Sequence, residues 1–284
     1  MITAEFLDQL SRFSLIVHKR VTSNFIGPRR SITMGKGIMF KDHRMYAPGD
    51  DYRSIDWKVF ARTDDLYIKN FEEDRNLILH VIIDNSASMH FKSKEITKYD
   101  YASMIGTGFA FLSMKENGKF QFATFADKLT VFQSKRGRSQ VMAMIDYLNA
   151  LKKEKESDFK SCMMKYKRYV TSKSLIIIIS DFLYDINDIE IPLYLFGNHN
   201  IKLIQVLDPL EIDLEQIDGD YNLLDLETNE SLRTFINPKL RSNYRTQIQN
   251  HIANIKDVCT RAGVEFYTVS SSDSIFDSFY KVIQ

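Results

Sequence analysis

The sequence predicts an α/β fold with a doubly wound, mainly parallel sheet that has helices on both faces. Strand-like and helix-like segments alternate from Leu77 to the C-terminus, which is the pattern of such sheets. Two compact runs, Leu77–Ile83 and Leu175–Ile179, are rich in Leu, Ile and Val, as strands buried on both faces are. The second run has only Leu and Ile, and we expect it at the centre of the sheet.

The other elements of this sheet are predicted from local spacing. Asn117-Gly118 is a helix stop, and it ends the helix that follows the first central strand. Pro192 falls in the middle of another helical segment, where a proline removes a hydrogen bond. The predicted helices are Tyr99–Lys115, Arg138–Leu151, Asp158–Val170, Asp185–Phe196, Leu240–Ala262 and Ser274–Ile283, and the further strands are Phe120–Phe125, Lys128–Phe132, Ile201–Leu207 and Val264–Val269.

Two parts of the chain are expected. Residues 1–76 form an N-terminal extension of a helix, loops and short strands that packs on the main domain, and residues 77–284 form that main α/β domain. Helical spacing predicts the first helix over Thr3–Arg20, and alternation predicts a strand over Leu66–Phe71. An insertion at about 208–238 is predicted to be a loop and a β-hairpin with strands Tyr221–Leu226 and Leu232–Ile236.

Composition excludes some classes of function. The 284 residues include 38 Lys+Arg and 37 Asp+Glu, a net charge of +1, which argues against nucleic acid as a partner. Two cysteines make a disulfide framework improbable. The longest apolar run is far too short to span a bilayer, and no signal peptide is visible, so we expect a cytoplasmic protein without a membrane span.

Oxygen-bearing side chains follow both central strands. The first strand runs into Asp84-Asn85-Ser86-Ala87-Ser88, and the second ends at Ser180-Asp181. Parallel strands bring their carboxyl ends to one edge of the sheet, so Asp181 is expected to face Asp84. Carboxylates and hydroxyls are hard ligands of the type Mg²⁺ prefers, which makes Asp84, Ser86, Ser88 and Asp181 candidate metal ligands.

This arrangement resembles the metal-ion-dependent adhesion site (MIDAS) of von Willebrand factor A domains. In that site an Asp-x-Ser-x-Ser loop, a threonine from a later loop and a further aspartate hold Mg²⁺, and a partner protein supplies a carboxylate to the open position. The resemblance implies bound Mg²⁺ (or Mn²⁺ or Ca²⁺) here and a protein partner that offers Asp or Glu. The threonine is absent, and Ser157 is its nearest substitute.

A wider resemblance covers about Gly35 to Gly263. The chain is similar to the domain of unknown function 58 family, whose members are bacterial, von Willebrand A-like and associated with MoxR-type AAA+ ATPases. This implies a role beside such an ATPase, and the chain resembles the shorter members that lack transmembrane helices. The matched positions are Gly35, Gly37, Phe40, Arg44, Tyr46, Pro48, Gly49, Asp50, Asp51, Arg53, Ile55, Asp56, Trp57, Ala61, Arg62, Asp208, Pro209, Glu211, Asp225, Glu227 and Tyr244.

Several alternatives stay open at this point. We expect a non-enzymatic interaction module with no catalytic residues, but His90 lies near the Asp84 loop and would be the base of a metal-dependent hydrolase. A scaffold with a vestigial metal site is a third possibility, because the threonine is missing. In the N-terminal block, we expect Arg53, Asp56 and Arg62 to form buried hydrogen bonds around Trp57 that hold the extension on the α/β domain. The alternative is that Arg44, Arg53 and Arg62 present a docking surface for a partner.

Overall fold

A computed structural model describes residues 2–21, 34–35, 39–47, 55–63, 65–72, 77–152, 157–197, 199–214, 217–226 and 230–283. The chain forms two compact units. One comprises residues 1–21 together with 77–284, and the other comprises residues 22–76.

The first unit is built on a six-stranded sheet with the order β11-β8-β7-β4-β5-β6. All neighbouring strands are parallel except β5 and β6, which are antiparallel. This confirms the predicted doubly wound α/β fold class. The strands are β4 (Ile78–Asp84), β5 (Phe120–Phe125), β6 (Leu129–Val131), β7 (Ser174–Ser180), β8 (Asn200–Leu207) and β11 (Glu265–Ser270).

Helices cover both faces of this sheet. The helices of the unit are α1 (Ala4–Val21), α3 (Lys98–Lys115), α4 (Arg138–Ala150), α5 (Phe159–Tyr166), α6 (Ile186–Phe196), α7 (Pro209–Ile212), α8 (Pro238–Ala262) and α9 (Ile275–Ile283). Ile82 faces the core formed with α5, α6 and α8, whereas its neighbours Val81 and Ile83 contact α3 at Gly106. Because successive side chains point to opposite faces, the central strands are apolar at most positions on both faces, with His80 as a buried polar exception within β4.

Most predicted elements occur within a few residues of their expected bounds. Helix α6 continues through Pro192, contrary to the interruption that proline suggested. The insertion contains the predicted hairpin, β9 (Gly219–Leu224) and β10 (Ser231–Ile236), and also the unpredicted helix α7. Asp208 and Glu211 form a capping box that starts this short helix, which explains its occurrence directly after β8.

The first helix, which the sequence predicted as part of an extension 1–76 that packs on the main domain, groups with the α/β unit. The rings of Phe6 and Phe276 lie 6.0 Å apart between centroids, and Phe13 lies 5.2 Å from Phe276. Asn149 accepts a hydrogen bond from the Ile2 amide at 2.9 Å and donates one to its carbonyl at 3.1 Å. In the described part of the chain, no helix combines the length and the apolar character needed to cross a bilayer.

The second unit contains a three-stranded antiparallel sheet, β1-β3-β2, made of β1 (Met34–Gly35), β3 (Tyr67–Glu72) and β2 (Met39–Met45). Helix α2 (Trp57–Thr63) precedes β3.

The predicted packing around Trp57 is not observed. Trp57, expected to anchor buried packing, is instead 59% exposed, and Arg62 is exposed as well. Asp56 is buried and accepts a hydrogen bond from the Lys58 amide. Gly37, Arg53 and residues 48–52 of the predicted block lie outside the described residues.

Candidate metal centre

The predicted site lies at the topological switch point of the sheet. From β4 the chain proceeds through β5 and β6 to one edge, and from β7 through β8 and β11 to the other. Doubly wound sheets bind ligands where the order reverses, outside the carboxyl ends of the strands. Asp84 is the last residue of β4, and Asp181 directly follows β7. The structure therefore brings these two carboxylates to the same edge, as the sequence predicted.

Asp84 is fully buried and held by three donors. Its Oδ1 accepts the Ser86 amide at 2.8 Å, and its Oδ2 accepts the Ser180 hydroxyl at 2.7 Å and the Tyr184 hydroxyl. Burial and the charge of Asp181 raise the pKa of Asp84 to about 6, although these hydrogen bonds oppose the rise.

Ser86 and Ser88 place two further oxygens beside Asp84. Their hydroxyls are 3.0 Å apart, and Ser88 begins a short 3-10 turn that ends at His90. Ser86 is buried, whereas Ser88 is partly exposed. Three of the predicted ligands thus come from one tight loop.

Asp181 is paired with a lysine that the sequence did not single out. The Lys98 ammonium lies 2.8 Å from Asp181 Oδ2 and 2.5 Å from Glu211 Oε1, and the Lys98 side chain is completely buried. Burial lowers the pKa of Lys98, but the two carboxylates raise it more, so that it lies above the ordinary value. Lys98 is therefore a permanent cation at neutral pH.

The position of Lys98 runs against the usual charge preference of helices. It is the first residue of α3, and the amino end of a helix carries a partial positive charge. Asp181 and Glu211 compensate for this placement. The sequence indicated Lys98 only through its position in the first turn of a helix. That position does not predict an ion pair, because Asp181 and Glu211 are far from Lys98 along the chain.

Ser157 is separated from the other candidate ligands by Tyr184. Its hydroxyl is 2.8 Å from the Tyr184 hydroxyl, which in turn donates to Asp84. Burial, followed by the charges of Asp84 and Asp181, raises the pKa of Tyr184 well above its ordinary value, so the phenol keeps its proton. The sequence did not indicate Tyr184, which joins the Ser157 loop to the end of β4.

The backbone after Asp181 has an unusual conformation. Phe182 has a φ of 50°, although it is a bulky buried residue for which the left-handed region is unfavourable. His251 Nε2 donates to its carbonyl at 2.8 Å, and Gln205 donates to the Asp181 carbonyl at 2.9 Å. These bonds hold the turn that positions Asp181 and Tyr184.

His90 contacts Asn85 of the same loop and Tyr99 of α3. Its Nε2 lies 2.9 Å from Asn85 Oδ1, and its ring stacks on Tyr99 with the centroids 4.7 Å apart. Asn85 also donates to the Lys152 carbonyl. His90 is thus part of the support of the loop.

Several charged side chains meet at this edge. Asp84, Asp181 and Asp208 are buried and Glu211 is partly buried, so these four carboxylates and the Lys98 ammonium carry −4 + 1 = −3. Among the described residues, no group of three or more His, Cys, Asp or Glu side chains is arranged to hold a metal ion. Metal binding here would therefore depend on hydroxyl oxygens as well as carboxylates.

Comparison with known proteins identifies the family. The strand order and the polar edge at the switch point are those of a doubly wound α/β protein. The sequence model of the family described as "Protein of unknown function DUF58" matches residues 42–254. The chain belongs to this family, as its sequence motifs suggested.

Individual relatives are distant. The chain is 27% identical over 251 residues to "Uncharacterized protein Rv1480" of Mycobacterium tuberculosis, covering 87% of this chain and 78% of the relative. Protein BatB from Bacteroides thetaiotaomicron is 12% identical with a TM-score of 0.46, over 73% of this chain and 97% of BatB. The SpRpn10 VWA domain is 10% identical with a TM-score of 0.47, over 72% and 93% of the chains. The fold class rests on the strand order and directions.

Proposed function

We propose that this protein is a non-enzymatic protein-interaction module that binds a divalent cation at the carboxyl edge of its sheet and uses it to engage an acidic side chain of a partner. The proposed ligands are Asp84, Ser86, Ser88 and Asp181, with Ser157 as a further hydroxyl near them. Mg²⁺ is the proposed ion, with Mn²⁺ and Ca²⁺ as alternatives. The observation that carries the proposal is the convergence of these oxygens at a switch point where carboxylates outnumber the Lys98 ammonium.

The donor set fits a hard divalent cation. All proposed ligand atoms are carboxylate or hydroxyl oxygens, which suit Mg²⁺, Mn²⁺ or Ca²⁺ rather than a thiolate-binding metal. Asp84 Oδ1 accepts the Ser86 amide, and the Ser86 and Ser88 hydroxyls of the same loop lie 3.0 Å from each other. A divalent cation would offset part of the negative charge of this edge. The fit supports the proposal on chemical grounds.

The protein's own residues would prepare this site. Ser180 and Tyr184 fix Asp84 through its Oδ2, so that Oδ1 is oriented toward the serine loop. The capped start of α3 and the strained turn at Phe182 place Lys98 and Asp181. When bound, the cation supplies a concentrated positive charge with an open coordination position that a carboxylate can fill.

We propose a MoxR-type AAA+ ATPase as the functional partner of this module. The support is membership of the DUF58 family. The resemblance described in the sequence analysis implies that members of this family work beside such ATPases. The protein would act as an adaptor that presents a client, or itself, to the ATPase through the metal edge. The small net charge of +1 is consistent with recognition at one local site rather than over a broad charged face.

Two other functions remain to be tested. A metal-dependent hydrolase would need a base at the metal edge, but the nearest histidine, His90, is bound to Asn85. A specific observation favours a scaffold with a vestigial metal site. The Lys98 ammonium is bound to Asp181, and the Tyr184 hydroxyl lies between Asp84 and Ser157. Turnover of an ester or phosphate substrate that is lost in His90→Ala would support the hydrolase.

Partner capture tests the proposed function. The full chain is immobilised, and a purified MoxR-type ATPase from the same organism is applied in Mg²⁺ or in EDTA. Retention of the ATPase in Mg²⁺ that is lost in EDTA and with the Asp84→Asn variant supports a partner that binds through the metal ion. Retention that is insensitive to EDTA and to Asp84→Asn supports the scaffold instead. Asp56→Asn, which removes a buried carboxylate of the other unit, is the matched control.

A further inference from the structure

Lys98 is placed where a bound cation would compete with it. Its ammonium is 2.8 Å from Asp181 Oδ2, and Asp181 is one of the proposed ligands. One carboxylate oxygen cannot hold an ammonium and a divalent cation together without strong repulsion between the two cations. Since Lys98 is completely buried, solvent screens this competition very little.

Glu211 gives Lys98 a second place to bind. Its Oε1 lies 2.5 Å from the same ammonium, while its Oε2 accepts the Asp208 amide at 2.9 Å within the capping box. The Tyr244 hydroxyl donates to the Glu211 carbonyl at 2.8 Å, which ties α7 to α8. Glu211 is thus held by the fold and can keep the ammonium when Asp181 no longer does.

We propose that Lys98 is a tethered cation that regulates metal binding at this edge by competing for Asp181, with Glu211 as the alternative carboxylate that holds the ammonium. This inference rests on the proposed metal site and adds its regulation. In the arrangement seen here Lys98 neutralises Asp181 and weakens its attraction for a divalent cation. A change that draws Lys98 toward Glu211, such as a movement of α7 or α8, would free Asp181 for the cation.

The proposal predicts effects of opposite sign for the two partners. Glu211→Gln leaves Asp181 as the single carboxylate on Lys98, so the affinity for Mn²⁺ falls by about tenfold. Lys98→Met removes the competitor and raises the affinity. Because this single change leaves two buried carboxylates without a counter-charge and can unfold the protein, the decisive variant is Lys98→Met combined with Glu211→Gln.

The double variant separates competition from simple charge. It removes one positive and one negative charge, so the net charge of the edge is the same as in the wild type. Competition predicts that Mn²⁺ binds the double variant about tenfold or more tightly than the wild type. A pure charge effect predicts equal affinity. Lys202→Met is the matched control, since it removes a buried lysine near the opposite, amino end of β8.

The experiment is a calorimetric titration of the full chain with MnCl₂, with circular dichroism to verify folding of each variant. Tighter binding by the double variant, weaker binding by Glu211→Gln and unchanged binding by Lys202→Met support the proposal. If the wild type binds Mn²⁺ and the folded double variant binds it equally or more weakly, the competition proposal is wrong, and the proposed metal site stands. If neither the wild type nor any folded variant binds Mn²⁺, the metal site and this inference both fail.

Discussion

The Tyr184 hydroxyl donates a hydrogen bond to the Asp84 carboxylate, which joins the turn after β7 to the end of β4. Ser157 contacts the same hydroxyl at 2.8 Å. Three loops of the carboxyl edge are therefore connected through one phenol. Because Asp84 is fully buried, each donor that it loses leaves a charge less well satisfied.

Replacement of Tyr184 tests this connection. Tyr184→Phe should lower the free energy of unfolding by about 1–3 kcal/mol, since it removes a hydrogen bond to a buried ionised group. Urea denaturation of the full chain measures the loss. Tyr147→Phe is the matched control, because the Tyr147 hydroxyl contacts the neutral Thr124 hydroxyl at a half-buried site. Equal losses in the two variants would contradict a special role for the Asp84 contact.

His80 should make the folded state sensitive to acid. It is buried in β4 with its Nδ1 2.8 Å from the Tyr166 hydroxyl, and burial, followed by the charge of His199, lowers the pKa of His80 to about 4. In the unfolded chain the His80 imidazole takes up a proton near pH 6.5, whereas in the folded protein it does so only near pH 4. The stabilisation is therefore present above pH 6.5 and is lost as the pH falls toward 4.

The expected loss from His80 is about 2 kcal/mol between pH 7 and pH 5. Asp84, with its raised pKa, acts in the opposite direction over a similar range, so the wild type alone is not diagnostic. The difference in unfolding free energy between the wild type and His80→Gln isolates the histidine. This difference should shrink at pH 5, and a difference that is independent of pH would contradict the assigned shift.

Two aromatic residues at the N-terminal side should differ sharply in their effect on stability. Phe6 is buried against the α/β unit and packs on Phe276, so Phe6→Ala should cost about 3 kcal/mol or more. Trp57 is largely exposed, and Trp57→Ala should change stability by less than about 1 kcal/mol. Thermal or urea unfolding of both variants measures this. A large loss for Trp57→Ala would restore the interpretation of Trp57 as a packing anchor.

The features that depend on local pattern were predictable from the sequence. The runs that became β4 and β7 are almost entirely apolar, with His80 as the exception in β4, and the residues directly after such strands lie at one edge of a parallel sheet. Asp84, the serine loop and Asp181 followed from this alone. The capping box of α7 was visible as Asp208-Pro209-x-Glu211, but that pattern was matched to a family rather than interpreted as a helix start.

The features that depend on distant partners were not predictable. A buried lysine such as Lys98 is tolerable only because Asp181 and Glu211, remote along the chain, reach it from two other elements. Tyr184 gains its role from a strained turn at Phe182, for which the sequence offers no glycine. The only tryptophan of the chain suggested buried packing by its type, yet its exposure depends on the local shape of the second unit.

The most direct test of the central claim is a calorimetric titration of the purified full chain with MnCl₂ near pH 7.5, where Asp84 is ionised. The account predicts binding of one ion by the wild type and by Asp56→Asn, and binding weakened by a factor of about 100 or more in Asp84→Asn, which keeps the size of the side chain and removes its charge. Binding of equal strength in the wild type and in a folded Asp84→Asn would contradict a metal centre at this edge.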